Sequence, residues 1–429
     1  MALALGLAFV LGLIVGVPIA FTMGGAGLVA LAIDGKLSLL SVPQRFFDGV
    51  NSFPLLAVPF FILAADLMTA GGITTTLLRC SNAFVGHLRG GLGHVNILTQ
   101  LMFAGISGSA LADAAGPGAV SMRMMHKGGY EKYYAASLSA ASAIMGPIIP
   151  PSIIMVIYAL ADPHVTIGGM FIAGIVPGLL LALALMAVNH WTSIRRGFGS
   201  IQPRRPWRAR LVTIWQATPV LLMPVIIVVG IRAGIFTTTE TAAIAVFYSL
   251  IVGLFWTRTL TSRLIAKVLL QSGLVTAAAL LIVSMASLMA WLLTLLQIPQ
   301  AIGAAIGGLT SSPTLMMLIV ALFVFVCGLF IDTLPAVIIL APVLSPLIDQ
   351  FGVHPIHFAM AVILNLAIGM LTPPVGGVLF VIASVGRLRL ERLARAILPL
   401  LAAELAVLLA IVLWPPLTTT LPAWLGYAR

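Results

Sequence analysis

Charge is what this chain has least of. Asp, Glu, Lys and Arg make up 8% of its 429 residues, against roughly 25% in a soluble domain. So few ionic groups cannot cover a solvated surface, and no stretch is polar and long enough for a separate soluble domain. Cysteine is nearly absent: Cys80 and Cys327 stand alone in apolar surroundings, which excludes a disulfide framework and a thiolate metal cluster. The seven histidines show no metal-ligand spacing. There is no G-x-x-x-x-G-K-[ST] loop to hold a nucleotide. Acids are half as frequent as bases, 11 against 22, giving a formal charge of +11. In so apolar a chain that excess reports which loops stay in the cytoplasm and does not call for a nucleic-acid partner.

What is present is hydrophobic sequence: 61% of residues are apolar, and the mean hydropathy is +1.17. The chain is an all-α polytopic membrane protein embedded in a lipid bilayer. At about 20 residues per span it holds on the order of ten to twelve crossing or re-entrant segments. The opening stretch "MALALGLAFVLGLIVGVPIAF" has no basic leader or clear cleavage site and is expected to form a retained first span.

The densest basic run, Arg195 to Arg210, has six arginines and no acid, which places it in the cytoplasm. It divides the chain into 1–194, a loop 195–211, and 212–429. Counting back through an apolar run from Met170 to Val188 puts Ala161 to Gly169 outside. One more crossing, Tyr133 to Leu160, returns Arg123, Lys127 and Lys132 inside. In the second half Arg258, Arg263 and Lys267 mark a cytoplasmic loop, and no Lys or Arg follows until Arg387.

Two apolar segments are interrupted alike. "IMGPIIPPSI" and "AIGMLTPPVG" share G-x-x-x-P-P, aligning Gly146, Pro150 and Pro151 with Gly369, Pro373 and Pro374. The first is preceded by bases and followed by none; the second is preceded by none and followed by Arg387, Arg389, Arg392 and Arg395. One motif crossing in opposite directions is the signature of inverted-topology repeats. A proline costs a helix interior roughly 3 kcal/mol, so each segment is expected to be a broken transmembrane helix. Unwound backbone at membrane depth must be buried in protein or line a cavity. There its carbonyls suit a hard cation such as Na+, and half-helix N-termini favour an anion.

Upstream of each break lies an irregular apolar element, expected to be a re-entrant hairpin. These are Phe103 to Val120, with Asp113, and Phe325 to Leu340, with Asp332, Thr333 and Pro335. Carboxylates inside apolar segments point to function, but each also fits a helix cap, and both readings stay open. Ser107, Ser109 and Thr333 offer hydroxyl ligands at the tips; Asn365 and Thr372 offer oxygens beside the second break. "TTTE", Thr237 to Glu240, fits a capping box. Asp66 and Glu404 lie in apolar runs without an evident partner.

The segments "SFPLLAVPFFILAADLM" (Ser52 to Met68), "GISGSALADAA" (Gly105 to Ala115), "GPIIPPSIIMVIYA" (Gly146 to Ala159), "GIFTTTETAA" (Gly234 to Ala243) and "NLAIGMLTPPVG" (Asn365 to Gly376) closely resemble the large membrane subunit of tripartite ATP-independent periplasmic (TRAP) transporters. The resemblance spans nearly the whole chain, with the motifs in the same order. It implies an elevator-type, Na+-coupled importer of an organic acid, such as a dicarboxylate, a sugar acid or sialic acid, in a bacterial inner membrane. A soluble periplasmic binding protein would deliver substrate, and a small membrane subunit would complete the transporter. By the same resemblance, one Na+ site would use Ser107 and Gly108 of the first tip with Gly146 and Ile149 of the first break. The other would use Asp332 and Thr333 with Gly369 and Thr372. Substrate would lie between the tips, near Ser107, Gly108, Ser109, Thr333, Pro150 and Pro373. The chain would not be an enzyme.

Two other classes compete. "GISG", Gly105 to Gly108, imitates the surroundings of an intramembrane serine protease nucleophile, and would need a base such as histidine within reach of Ser107. A passive anion channel would need neither a binding protein nor a coupling ion.

Overall fold

A computed structural model describes residues 1–35, 37–199 and 203–427 of the chain. All regular elements among them are helical. Five helices are each long and apolar enough to cross a membrane: Phe53–Ala70, Ile167–Arg196, Trp207–Arg232, Thr238–Trp256 and Ser262–Leu295. Leu390–Ala396 and Leu398–Leu413 meet at a 53° bend and are together long and apolar enough for a sixth; Pro399 lacks the N–H that would continue the ladder there. The protein is an integral membrane protein.

The opening segment is not one span. It forms Ala2–Val15 and the start of Ile19–Asp34, because Gly16 adopts a left-handed φ of 83° and Pro18 follows in an extended conformation. Fourteen residues at 1.5 Å each give about 21 Å, short of a hydrocarbon core of about 30 Å. The basic loop is also narrower than 195–211. Helix Ile167–Arg196 ends at Arg196 and the next begins at Trp207, and residues 200–202 lie outside the described residues.

The order of elements runs twice. Two helices lead, Ala2–Val15 with Ile19–Asp34, or Trp207–Arg232 with Thr238–Ile251. A long element follows, formed by Ser41–Val50 with Ala57–Ala70, or by Ser262–Leu295 alone. A short helix comes next, Ile73–Val85 or Ile298–Leu309. The first hairpin is Gly91–Ser107 with a return arm over residues 110–127; the second is Pro313–Phe330 with Thr333–Leu344. Each hairpin leads to a broken helix, Lys132–Ala143 with Ile153–Ala161, or Pro355–Gly369 with Gly377–Gly386.

The core sits on the two broken helices. Every residue of Pro355–Gly369 after Pro355 is buried, as are ten of the twelve in Lys132–Ala143. A helix that is apolar or small on all sides belongs in such an interior. The Ala and Ser side chains of "AASLSAASA" let neighbouring backbones approach closely. The halves interleave: Ile153–Ala161 packs on Thr333–Leu344, and Gly377–Gly386 packs on Lys132–Ala143 and the first hairpin's return arm. Large exposed apolar side chains populate Ala2–Val15, Trp207–Arg232 and Ser262–Leu295, which is the surface a bilayer covers.

Candidate cation and substrate site

The first break is held open by its own side chains. Ser152 Oγ donates to the Pro147 carbonyl at 2.7 Å and accepts from the Met155 N–H at 3.3 Å, capping the second half-helix. The carbonyl oxygens of Gly146 and Ile149 accept no hydrogen bond among the described residues. The first hairpin's tip closes directly on this turn. A Cβ at Gly108, where φ is +61°, would lie 2.7 Å from the Pro151 oxygen and 3.0 Å from the Ile153 nitrogen. A Cβ at Gly146 would lie 2.7 Å from Asp113 Oδ2 and 2.8 Å from the Ser109 carbonyl carbon. Both positions are glycine because backbone meets backbone there.

Asp113 is fully buried. Its Oδ1 accepts from the Ser107 hydroxyl, while Oδ2 has no partner among the described residues. Its main-chain carbonyl accepts from Gln100 Nε2 at 3.3 Å. The cap of the return arm is Ser109, whose hydroxyl faces the Ala112 N–H at 3.5 Å, so Asp113 is no cap. Of the two carboxylates, only Asp332 caps its helix, accepting from the Thr333 N–H at 2.8 Å.

The second tip and break repeat this contact with a more open surface. A Cβ at Gly369 would lie 2.8 Å from the carbonyl carbon and oxygen of Gly328, and the Val375 N–H donates to the Leu329 carbonyl at 3.2 Å. Thr333 Oγ1 and Asn365 Oδ1 are buried without a partner; Asn365 Nδ2 donates to the Ala321 carbonyl at 2.5 Å. The Leu371, Thr372 and Pro373 carbonyls accept no hydrogen bond among the described residues. Thr372 Oγ1 lies 3.4 Å from the Ile368 oxygen. Pro373, Pro374 and Val375 are exposed, whereas Pro150 and Pro151 are buried. Both Pro-Pro peptide bonds are cis.

The residues expected to touch substrate divide by access. Ser107, Gly108, Pro150 and Thr333 are buried, which leaves half-buried Ser109 and exposed Pro373 facing open space. The first tip approaches the second break at Leu111, whose Cδ2 would lie 3.5 Å from a Cβ at Gly377. Ser107 donates to Asp113, and no histidine hydrogen-bonds it among the described residues.

Several polar partnerships were not legible as pairs. Ser272 donates to Asp66 at 2.6 Å, 206 positions away. Asn96 Nδ2 donates to Ser142 Oγ at 3.2 Å and to the Leu138 carbonyl at 3.3 Å, tying the first hairpin to the first broken helix. His164 bridges Asp162 at 2.7 Å and Asp349 at 3.4 Å; the hydrogen bond it donates to the Asp162 carboxylate raises its pKa above the ordinary 6.5. The local signal for the Asp162–His164 pair is "DPH" at residues 162–164. Glu404 is buried with both oxygens unpartnered. The capping box at Thr237 and Glu240 is present.

A cavity of about 290 Å³ opens between Ser41–Val50 and Ser262–Leu295 on one side and Ile153–Ala161 and Thr333–Leu344 on the other. Asp48, Ser52 and Ser287 line it with Ile157, Ile338 and Pro342. Packing between these two groups of helices is thus incomplete.

Solved structures with the same fold include the YdaH transporter of Alcanivorax borkumensis, with a TM-score of 0.61 at 14% identity, covering 90% of this chain and 88% of that one. MtrF of Neisseria gonorrhoeae gives 0.59 at 16%, covering 89% and 85%. At the level of sequence, the chain is 37% identical to the sialic acid TRAP transporter large permease protein SiaM of Vibrio cholerae, covering 97% of both. It is 38% identical to the C4-dicarboxylate TRAP transporter large permease protein DctM of Pseudomonas aeruginosa, covering 94% of both. Against the isethionate TRAP transporter permease protein DctMQ of Oleidesulfovibrio alaskensis it is 39% identical, matching 97% of this chain but spanning only 64% of that protein's length. The family described as "Tripartite ATP-independent periplasmic transporter, DctM component" matches residues 5–417. With the family model matched over residues 5–417 and its hairpins seated on paired helix breaks, this chain belongs to the DctM component family of TRAP transporters.

Proposed function

We propose that the chain is the translocating subunit of a secondary importer that draws an organic acid across a bacterial inner membrane with the Na+ gradient. What carries the reading is the seating of each hairpin tip on the break of its own half. At each contact hard oxygen atoms are left over: Asp113 Oδ2 with the Gly146 and Ile149 carbonyls, and Thr333 Oγ1 with the Leu371 and Thr372 carbonyls. Oxygen donors of this kind suit Na+ and offer nothing to a soft metal. The first site takes Ser107, Gly108, Gly146 and Ile149; the second takes Asp332, Thr333, Gly369 and Thr372. Bound cations at both tips make the space between them attractive to a carboxylate, with Ser109 and Pro373 at its edge.

The substrate class follows from relatives that carry anions by name: sialic acid, C4-dicarboxylate, isethionate and 2,3-diketo-L-gulonate. A periplasmic binding protein delivers it, and a small membrane subunit braces the outer helices. The two hairpins and broken helices move as one body past the outer helices, an elevator motion that the loosely filled cavity beside Asp48 accommodates. The charge pattern orients the two halves oppositely in the bilayer. Neither a protease nor a passive channel accounts for the paired breaks.

Proteoliposomes holding the complete transporter, without ATP, test this. Under an inward Na+ gradient they should concentrate the organic acid added with its binding protein. Equilibration without accumulation would mean a channel, and no Na+ dependence would remove the coupling ion.

A further inference from the structure

The cavity beside Asp48 has two unlike walls. Its polar side chains, Asp48, Ser52 and Ser287, all come from Ser41–Val50, the turn after it and Ser262–Leu295. The facing wall, from Ile153–Ala161 and Thr333–Leu344, is wholly apolar. The polar wall is firmly built: Ser284 donates to the Phe46 carbonyl at 2.9 Å, and a Cβ at Gly49 would lie 2.6 Å from Ser287 Cβ. Its oxygen atoms are nevertheless little used. The Ser52 and Ser287 hydroxyls make no hydrogen bond among the described residues, and Asp48 Oδ2 reaches Arg45 Nη1 only at 3.9 Å, with that guanidinium drawn over the Trp291 ring at 4.9 Å. Three oxygen-bearing side chains opposite hydrocarbon are poorly matched to the wall they now face.

That apolar wall belongs to the body that carries the hairpin tips and the breaks. Leu334, Ile338 and Pro342 recur every four residues and so share one face of Thr333–Leu344. At 1.5 Å per residue, Ile338 and Pro342 stand about 8 and 14 Å from Thr333 at the second tip. Helix Ile153–Ala161 packs on the same helix, and its cavity-lining residues Ile157 and Ala161 stand about 6 and 12 Å from its start at the first break. One rise of about 10 Å therefore brings the second tip and the first break together to the level of the polar wall. The rise is outward, because the charge pattern places the Ala161 end outside, and Val283 of the polar wall lies about 24 Å beyond Lys267 along Ser262–Leu295.

We propose that Asp48, Ser52 and Ser287 form the outer station of the elevator, the fixed surface that the second tip and the first break face when the mobile body has risen. There the Asp48 carboxylate and the two hydroxyls hold Na+ entering from outside, before it passes to Asp332 and Thr333 at the tip. Hard oxygen donors suit that ion, and a carboxylate at the mouth raises its local concentration. The inference rests on the elevator reading above and adds to it a stopping point and a fixed partner surface.

The test is cross-linking of the complete transporter in proteoliposomes, with Cys80 and Cys327 replaced by alanine and a short bis-methanethiosulfonate as the probe. Ser287→Cys/Ile338→Cys joins the two walls as they now stand; its bridge should cut Na+-driven uptake by about tenfold or more, and a reductant should restore it. Ser287→Cys/Leu334→Cys needs the body to rise by at least a turn, so its bridge should form about fivefold faster during uptake than with choline in place of Na+. If the first bridge stops uptake while the second never forms, or forms equally fast in choline, the body moves but the outer station is overturned. A first bridge that leaves uptake unchanged overturns the elevator reading itself. Asp48→Asn, at a side chain 54% exposed, tests the ion without cysteines: the apparent Na+ affinity of uptake should weaken about threefold, and an unchanged affinity overturns the role given to Asp48.

Discussion

Gly369 and Gly328 meet backbone to backbone. A methyl group on Gly369 would lie 2.8 Å from the carbonyl carbon and oxygen of Gly328, so the second break approaches the second hairpin this closely only because residue 369 carries no side chain.

Gly369→Ala is expected to push the hairpin off the break. Overpacking of this kind costs about 1–3 kcal/mol, and the loss of Na+-dependent uptake should exceed tenfold while the chain still inserts. Uptake at wild-type rates with normal abundance would show that the tip need not seat on the break.

The Ser107–Asp113 pair gives a second test. Ser107→Ala leaves a buried carboxylate with no donor, at a cost of about 1–3 kcal/mol. Asp113→Asn removes the charge and keeps a polar group. Melting of the two single variants and the double variant should reveal a coupling energy of about 0.5–3 kcal/mol. Additive effects would mean that the hydroxyl and the carboxylate act independently.

His164 makes one corner of the molecule pH-dependent. Its bond to Asp162, helped by Asp349, raises its proton affinity above the ordinary 6.5. A group whose folded pKa is raised contributes fully below its unfolded value, and that contribution fades as pH climbs through the folded one. The Tm should therefore fall as pH rises above the ordinary histidine value of about 6.5, and His164→Gln should flatten that slope. A wild-type slope unchanged in the variant would assign the titration elsewhere.

Thr237→Ala removes the arm of the capping box in which the Thr237 hydroxyl accepts from the Glu240 N–H at 3.2 Å. The expected loss is about 1 kcal/mol of stability with Na+ affinity unchanged. A loss of Na+ affinity without a loss of stability would move Glu240 from structure to function.

The parts of the fold that were legible in sequence are those written in local pattern. G-x-x-x-P-P announced both breaks because proline and glycine act on their own backbone, and "GISGS" announced a tip for the same reason. What stayed hidden depended on distant partners. Ser272 solvates Asp66 from another half of the chain, and Asn96 bonds across to Ser142. No spacing rule could pair them. The split of the opening segment at Gly16 was missed because its hydrophobicity was weighed without the left-handed turn. The cap reading of Asp113 failed because Ser109, four residues earlier, already holds the helix start, which freed the carboxylate for Ser107.

The central claim is that the two breaks hold Na+, and the most direct measurement is thermal unfolding of the purified subunit titrated with Na+ against K+ or choline at constant ionic strength. A ligand bound only by the folded state raises stability by RT ln(1 + [L]/Kd), about 2.7 kcal/mol at a hundredfold excess over Kd. A saturable Tm rise specific to Na+, diminished in Thr372→Ala and Asp332→Ala, is the predicted result. Superimposable curves for all three cations, in wild type and in both variants, would contradict it.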